Sequence, residues 1–328
     1  MADLTPVEWL VEEGIGEHRA IRVEDYSIAE SRVHWPGEIT AGDVYRVRIV
    51  HRRSGSPRAT ARLDDGRVIL LDRLPVALTE GTSVRAEIIR GAIAERGRTK
   101  LPLGRKCDDE PRVTTLAQSL RGEGRTVTTV RRFPNVGWSD CVADALDRTA
   151  TFAHGALLID ATPAMIVIDV DGAGDPTALA LSAAGAVGSA IRRFDMGGNI
   201  GIDFPTIADK AGRRRVDAAL ADALGDHRHE RTAMNGFGFI QIVSRLQRPS
   251  LIHRAAYDRT GVLVRRLLRQ AEAIAEPGAI LLTVPPAIEA ALRHEWRDEL
   301  ARRSGRPIRI ETDPALALEG AFAQAVPI

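Results

Sequence analysis

The stretch that decides the fold runs from residue 164 to residue 203 and contains two apolar segments, AMIVID at 164–169 and GNIGID at 198–203. Each segment ends in an aspartate, Asp169 or Asp203, and the stretch LSAAGAVGSAIRRF at 181–194 between them has helical spacing. The pattern therefore predicts a strand, a helix and a second strand. A right-handed crossover would make the strands parallel and place both carboxylates at one edge of the sheet, where α/β proteins usually bind ligands.

Two carboxylates at close range predict a cation site. They repel each other unless a proton or a cation lies between them, and hard oxygen ligands select Mg²⁺ or Mn²⁺. Asp171 follows Asp169 by two residues, so its side chain lies on the same side of the strand and offers a third oxygen. The residues leave one alternative open, in which each aspartate begins a turn or caps a helix.

Length and composition fit a soluble protein of about two or three domains, since 44% of the 328 residues are hydrophobic. No apolar run approaches the roughly 20 residues needed to span a bilayer. The acidic start of the chain does not resemble a signal peptide, so we expect a cytoplasmic protein with no membrane partner. Cys107 and Cys141 lie far apart without metal-ligand spacing, which predicts neither a disulfide framework nor a zinc site.

Charge is unevenly distributed along the chain although the net charge is only +1. Residues 136–190 contain seven Asp and one Arg, whereas residues 191–270 contain fourteen Arg, one Lys and eight Asp or Glu. An acidic centre that attracts a cation, followed by an arginine-rich segment that attracts phosphate, suits a metal-dependent nuclease. Solvated helix faces would give the same pattern. His227 and His229 lie in the basic part, where phosphate contact and an exposed helix end both explain them.

The rest of the chain is predicted to form an α/β multidomain protein. Residues 38–106 contain about five short strands with turn signals, which indicate a small closed barrel of the OB type that binds single-stranded nucleic acid; an SH3-like barrel with a structural role is the alternative. Further strands are predicted at 19–23, 28–34, 126–131, 154–160, 232–236, 279–284 and 307–311. Further helices are predicted at 114–122, 139–149, 209–224, 262–275 and 286–304.

Several motifs occur in a fixed order through the central block: GALLIDATPAMIVIDVDG at 155–172, GGNIGIDF at 197–204, FGF at 237–239 and PSL at 249–251. Outside it stand EEGIGEHRA at 12–20, ERGRTKLP at 95–102 and ETDPAL at 311–316. In this order and spacing the chain resembles the ribonuclease E/G family over nearly its whole length.

The resemblance implies four structural units. A ribonuclease-H-like subdomain would be split between residues 1–36 and 107–135, on either side of an OB-type RNA-binding barrel at 37–106. A deoxyribonuclease-I-like catalytic core would span 136–252. A small C-terminal α/β domain would span 253–328.

The resemblance also implies an activity. Asp169 and Asp203 match the family's two Mg²⁺-binding aspartates, and Asp171 stands at its metal-associated Asn position. The expected protein is a hydrolase, a Mg²⁺-dependent endoribonuclease that cleaves single-stranded RNA in processing or decay and leaves a 5′-phosphate; Mn²⁺ is an alternative metal. The residues expected to hold RNA are Arg213, Arg214, Arg215 and Lys100. For the three arginines, a solvated helix face is the alternative.

Some positions depart from the family pattern and favour a second hypothesis. Pro163, Gln241 and Thr206 replace acidic residues, and Leu179-Ala180 replaces a Thr-Asn pair expected at the rim of the site. Losses in the polar surroundings of a metal typically cost ~10 to 100-fold each in affinity or activity. A catalytically weak or inactive RNA-binding protein on the same scaffold is therefore the alternative function. A small-molecule phosphohydrolase is a third, but it leaves the barrel unexplained.

Two modules of the family have no counterpart in the sequence. The zinc-link position aligns with residues 254–261, which contain no thiol, and residues 107–153 are too few for the family's 5′-end sensor. We therefore expect a short form of the family with no zinc and no zinc-bridged tetramer. Two chains could still form a homodimer through the C-terminal domain. A 5′-monophosphate on the RNA is not expected to stimulate it.

Overall fold

A computed structural model describes residues 8–328 and shows a mixed α/β protein with a closed five-stranded barrel. Residues 1–7, the start of the first predicted subdomain, lie outside the described residues. Within 8–328 there are eight α-helices. None of the described helices has the length and apolar character needed to cross a membrane.

The described chain begins with an antiparallel hairpin and a third strand. Its elements are β1 (Glu8–Gly14), β2 (Glu17–Glu24) and β3 (Ser27–His34). Asp25 and Tyr26 connect β2 to β3 with φ values of 45° and 59°, the positive values that a two-residue hairpin turn needs to match strand twist. The two strands predicted around this turn are confirmed.

The barrel follows and has a hydrophobic core of its own. Its segment contains β4 (Val44–His51), β5 (Ala59–Leu63), β6 (Val68–Asp72), β7 (Ser83–Arg90), β8 (Ile93–Glu95), β9 (Arg98–Lys100) and β10 (Leu103–Cys107). Five of these close in the order β10-β6-β5-β4-β7, while β8 and β9 form a separate hairpin. The predicted small closed barrel is confirmed; its assignment to the OB type stays a prediction.

A helix and a strand then return the chain to the first sheet. The helix α1 (Leu116–Gly122) begins at Thr115, whose side chain and that of Gln118 form a capping box. The strand β11 (Thr126–Val130) pairs in parallel with β1, so the sheet has the order β11-β1-β2-β3. Segments before and after the barrel therefore lie in one sheet.

The central unit is a six-stranded sheet with helices. Its elements are α2 (Trp138–Asp147), β12 (Thr149–Phe152), β13 (Gly155–Ala161), β14 (Ile166–Gly172), α3 (Pro176–Arg193), β15 (Gly198–Asp203), α4 (Lys210–Leu224), β16 (His229–Arg231) and β17 (Phe239–Ser244). The strand order is β12-β13-β14-β15-β17-β16, and β14–β15 is its parallel pair. This confirms the predicted strand, helix and parallel strand.

One predicted strand of this unit was wrong. Residues 232–235 are irregular and lead into a turn at 236–237, and the strand lies earlier, at β16. The reason is Asn235, whose side-chain oxygen accepts the N–H groups of Phe237 at 2.9 Å and Phe239 at 3.1 Å. A side chain that binds the nearby backbone in this way favours a turn over a ladder.

The C-terminal unit packs helices on a three-stranded sheet with the order β19-β18-β20. Its elements are α5 (Leu251–Tyr257), α6 (Arg259–Glu272), β18 (Ala279–Val284), α7 (Pro286–Ala291), α8 (His294–Ser304), β19 (Ile308–Thr312) and β20 (Phe322–Val326). The helix predicted at 286–304 is two helices, because Leu292 and Arg293 between them have extended backbone.

A single hydrophobic core runs through the first sheet, the central sheet and the C-terminal unit. Helix α3 packs on the central sheet and on α4. Its small residues permit this, since a Cβ at Gly188 would come within 2.7 Å of the Ala223 Cβ. The helix thus covers one face of the sheet closely. Because side chains alternate between the two faces, the strand residues that do not pack on the helix project from the other face.

Candidate functional site

The two aspartates are direct neighbours in the sheet. Asp169 of β14 is in register with Asp203 of β15, and neighbouring strands lie about 4.8 Å apart. Ile168 and Ile202, the residues before them, are fully buried, whereas both aspartates are exposed. Because side chains alternate between faces, the two carboxylates project from the same uncovered face. The predicted juxtaposition is therefore present, on a face of the sheet rather than beyond its edge.

Asp171 lies on the same face but farther along. It is exposed and stands opposite Ala156 of β13, two residues beyond the Asp169–Asp203 pair. Two residues of strand correspond to ~6.6 Å. Within residues 8–328 no three or more His, Cys, Asp and Glu side chains are grouped to hold a metal ion. The site is thus a carboxylate pair with a third carboxylate near its rim.

The face that carries the pair is open. Leu158 is opposite Asp169 and is 44% exposed, and Val243 of β17 is 45% exposed. Apolar side chains with this exposure show that no other element packs over them. The remaining carboxylate of the neighbouring strand, Asp160, is ion-paired with Arg148. The face therefore offers acidic and apolar groups to a ligand that lies flat on the sheet.

Close packing shapes the rim beside Asp203. Phe239 pairs in register with Asp203, and its ring lies over Gly201, where a Cβ would come within 2.7 Å of the ring. Gly238 has a φ of 96°, and a Cβ there would lie 2.2 Å from the carbonyl oxygen of Phe204. The turn can approach the end of β15 this closely only because position 238 is glycine.

Phe237 is the residue at this rim that the sequence reasoning missed. Its side chain is 81% exposed, and its carbonyl oxygen accepts a hydrogen bond from the Thr206 hydroxyl at 3.3 Å, which ties the turn to the segment after Asp203. An exposed aromatic ring is a platform on which a nucleic-acid base can stack. The FGF motif marked the position, but only the turn geometry shows that the first ring is uncovered.

Residues 114–246, which include the aspartate pair and the open face, match the model of the Ribonuclease E/G family. Over this segment the chain is similar to the ribonuclease E/G family. No curated protein matches the chain. The family indicates a hydrolase of the endoribonuclease type with RNA as its substrate.

Two of the departures from the family pattern lie close to the pair. Gln241 is in register with Gly201 on the open face, so a neutral amide stands where the family has an acid. Thr206 follows Asp203 by three residues and binds the Phe237 carbonyl. Both residues therefore border the pair without adding a carboxylate to it.

Another departure, the Leu179-Ala180 pair, was placed wrongly by the sequence. Leu179 and Ala180 were expected at the rim of the site, but they are 5% and 0% exposed and belong to the core face of α3. The Leu179 side chain packs against Gly172 at the end of β14, where a Cβ would lie 2.7 Å from Leu179 Cδ1. Helical periodicity turns these positions toward the core, so apolar residues here contribute packing rather than removing groups from the site.

The structure does not bring the three predicted arginines onto the open face. Arg213 donates to the carbonyl oxygens of Ile207 at 2.7 Å and Ala208 at 2.9 Å, which holds the loop between β15 and α4. Arg214 and Arg215 are exposed on α4, and α4 packs against α3, the helix on the covered face. Any RNA contact by these two side chains would come from the helical layer.

Lys100 is also engaged with the protein. Its ammonium lies 2.5 Å from a carboxylate oxygen of Glu95, an interaction that lowers the pKa of Glu95 together with Arg98. The side chain lines a cavity of about 130 Å³ with Thr162 and Asn199. Asn199 is near the start of β15, so Lys100 lies toward the opposite end of that strand from Asp203.

Proposed function

We propose that this protein is a Mg²⁺-dependent endoribonuclease that cleaves single-stranded RNA and leaves a 5′-phosphate on the downstream fragment. The observation that carries the proposal is the register of Asp169 opposite Asp203 on an open sheet face, inside the segment that matches the ribonuclease E/G family. The metal, the preference for single strands and the product end are our proposal; the family supports the reaction class.

The residues present suit Mg²⁺. Asp169 and Asp203 would hold the ion, with Asp171 near the rim. Mg²⁺ usually takes one or two protein carboxylates and completes its coordination with water and substrate phosphates, which agrees with a pair rather than a larger cluster. Bound there, the ion would polarise a phosphodiester and lower the pKa of water. Mn²⁺ shares the preference for oxygen ligands and should substitute.

The chain's own groups would position an unpaired strand. The uncovered sheet face has room for a chain that lies across it, and Leu158 and Val243 present apolar surface to bases. Phe237 offers an exposed ring beside Asp203, and stacking on such a ring contributes ~1 to 3 kcal/mol per base without reading its identity. Bases inside a duplex are not available for this stacking, so the arrangement favours single strands.

The barrel supplies a separate basic surface. Arg48 of β4 is in register with Arg62 of β5, and Arg46 projects from the same side of β4. All three are exposed, and none has a carboxylate within 4.0 Å in the described part of the chain. Unpaired arginines in a row suit contact with successive phosphates, which should make RNA binding weaken as salt rises.

A second function remains in view because of specific observations. The pair has no third carboxylate close enough to form a three-ligand group within residues 8–328, and Gln241 and Thr206 add no charge beside it. A protein with this surface could bind RNA without cutting it. Both functions predict salt-dependent RNA binding, so cleavage is what separates them.

The deciding experiment combines metal and aspartate removal. Purified protein is incubated with an unstructured RNA that carries a 3′ fluorophore, in Mg²⁺ or in EDTA, and the product ends are identified by mass spectrometry. Asp169→Asn and Asp203→Asn keep side-chain size and remove one charge each. Asp222→Asn, on the exposed surface of α4, removes the same charge elsewhere and is the matched control.

The endoribonuclease is supported if wild type and Asp222→Asn cut the RNA in Mg²⁺ only, leave 5′-phosphates, and both site variants lose the activity. RNA binding without cleavage in any metal selects the second function. Cleavage that survives in EDTA, or in both site variants, rules out the proposed metal chemistry.

A further inference from the structure

A cavity rich in arginine lies at the other end of β15 from Asp203. It encloses about 410 Å³ between the first sheet and the central sheet, and its lining comes from β3, the loop after α1, the end of α3, the loop after α4 and the end of β17. Gly197, the residue before β15, is part of the lining. Six residues of strand separate it from Asp203, which is ~20 Å.

The cavity carries an excess of positive charge. Its four carboxylates already have partners: Arg32 binds Glu123 with two hydrogen bonds, Arg248 binds Asp195 at 3.2 Å, Arg22 binds Glu30 at 2.7 Å and Arg125 lies 3.9 Å from Asp226. Three more lining arginines have no carboxylate within 4.0 Å in the part of the chain that the structure describes. These are Arg192, Arg228 and Arg245.

The same cavity collects buried polar atoms that lack a partner. Among the described residues, Nε of Arg125, Nε of Arg192, Nε2 of His227 and Oγ of Ser244 are buried without a hydrogen bond. All four residues line the cavity. Buried polar groups are almost always satisfied, so four unsatisfied atoms on residues that line one cavity show that its wall is short of hydrogen-bond partners.

The orphaned groups are mainly donors, and one of their side chains is held in place by another contact. The Arg192 guanidinium is held in place because it donates to the Ala223 carbonyl oxygen at 2.7 Å. An acceptor with several oxygens in a small volume would satisfy such donors together. Phosphate has that form, and arginine binds it with two parallel hydrogen bonds.

We propose that this cavity binds the phosphate group of a nucleotide at a site separate from the aspartate pair. A volume of about 410 Å³ falls in the range of cavities that hold small organic ligands, so the rest of a nucleotide can enter behind its phosphate. The distance along β15 excludes one phosphate from reaching both sites. The inference does not depend on the proposed cleavage.

His227 reports on the occupancy of the cavity. Burial lowers the pKa of its imidazole, and His229 and Arg192 lower it further, while Glu30 and Asp195 oppose the shift. An anion bound beside the ring stabilises the protonated form, so the pKa of His227 should rise on binding. Titration of the His227 ring by NMR, with and without phosphate, measures this shift at the residue itself.

The binding test uses calorimetry at fixed salt with four probes: inorganic phosphate, uridine 5′-monophosphate, uridine and a short single-stranded oligoribonucleotide. Arg228→Gln combined with Arg245→Gln removes two exposed, unpaired charges and leaves the fold intact. Arg192→Gln and Ser244→Ala test the interior. Arg297→Gln, an exposed arginine of α8, is the control for lost charge.

We expect the phosphate-bearing probes to bind, uridine not to bind, and the double variant to weaken binding by ~10-fold or more, as for lost charged hydrogen bonds. Arg297→Gln should match wild type. Equal affinity for inorganic phosphate and the mononucleotide identifies free phosphate as the source, and tighter oligonucleotide binding that the variants abolish identifies an RNA chain. Binding of uridine as tight as its monophosphate, no saturable binding of any probe, or affinity unchanged in the double variant and in Arg192→Gln would overturn the proposal.

Discussion

The two ends of β15 carry opposite chemistry. At its carboxyl end, Asp203 meets Asp169 in register on an open face, so two adjacent strands are enough to build the site. At its amino end, arginines from five separate segments surround a cavity. The first site follows from local pattern and strand pairing, whereas the second exists only once distant parts of the chain have packed. One strand can therefore connect a site that sequence motifs predict with a second site that no sequence motif predicts.

The largest effect is expected at the acidic end. Asp203→Asn should lower Mg²⁺-dependent RNA cleavage by about 10³-fold, because removing one group that stabilises developing charge costs rates of that order. Phosphate affinity at the arginine cavity should be unchanged, since the two sites are a strand length apart. Cleavage rates and phosphate calorimetry on the same preparation measure both. Loss of both properties would mean that the two ends are one site.

A glycine pair tests how closely the turn must approach the acidic end. Gly238→Ala should reduce the free energy of unfolding by about 3 kcal/mol, because the positive φ is strained for alanine and its Cβ would meet the Phe204 carbonyl. Gly236→Ala, two residues earlier with nothing within 4 Å of its Cβ, should be nearly neutral. Urea unfolding compares the two. Equal effects would show that the turn is not held at β15.

Near the basic end, a buried histidine predicts a pH dependence. Burial lowers the pKa of His253 to about 4, and Ser250 Oγ lies 2.7 Å from its Nδ1. In the unfolded chain the His253 imidazole binds a proton near its ordinary pKa of 6.5, whereas in the folded protein it does so only near pH 4. The free energy of unfolding therefore decreases as the pH falls from 6.5 toward 4. Between pH 7 and pH 5 this loss is about 2 kcal/mol.

His253→Gln keeps a hydrogen-bonding side chain and removes the titration. Urea unfolding at both pH values should show a loss about 2 kcal/mol smaller in the variant than in wild type. An identical loss in the two proteins would show that His253 does not become harder to protonate on folding.

The smallest effect is expected for the exposed ring at the acidic end. Phe237→Ala should weaken binding of single-stranded RNA by ~1 kcal/mol, or about fivefold, the lower range for one stacked base, and leave stability unchanged because the side chain is 81% exposed. Tyr26→Ala, 85% exposed in the β2–β3 turn, is the matched control. Fluorescence anisotropy measures the affinity. A control that weakens binding equally would remove the stacking role from Phe237.

Much of the fold was readable because its elements have strong periodicity. Strand β18 lies at the predicted residues and α3 and α4 lie close to theirs, since alternating or helical apolar spacing is a local property. The failures occurred where a contact overrides propensity. Asn235 turns the predicted strand at 232–236 into a loop, and extended backbone at Leu292 divides the helix predicted at 286–304.

The candidate site shows the same division. The pairing of Asp169 with Asp203 was predicted, because the handedness of a crossover is nearly invariant. The engagement of Arg213 with backbone carbonyls and of Lys100 with Glu95 was not, because charge in a sequence does not reveal its partner. The burial of Leu179 and Ala180 likewise depends on which face α3 turns to the sheet.

By itself the sequence determined two apolar strands that end in aspartates, a small-residue helix between them, and a barrel before them, because periodicity and turn chemistry act over a few residues. The tertiary structure alone decided which sheet face stays open, that Phe237 is uncovered beside Asp203, and that arginines from distant segments enclose a cavity. Those features arise from packing between residues far apart in the chain, and no short-range pattern records them.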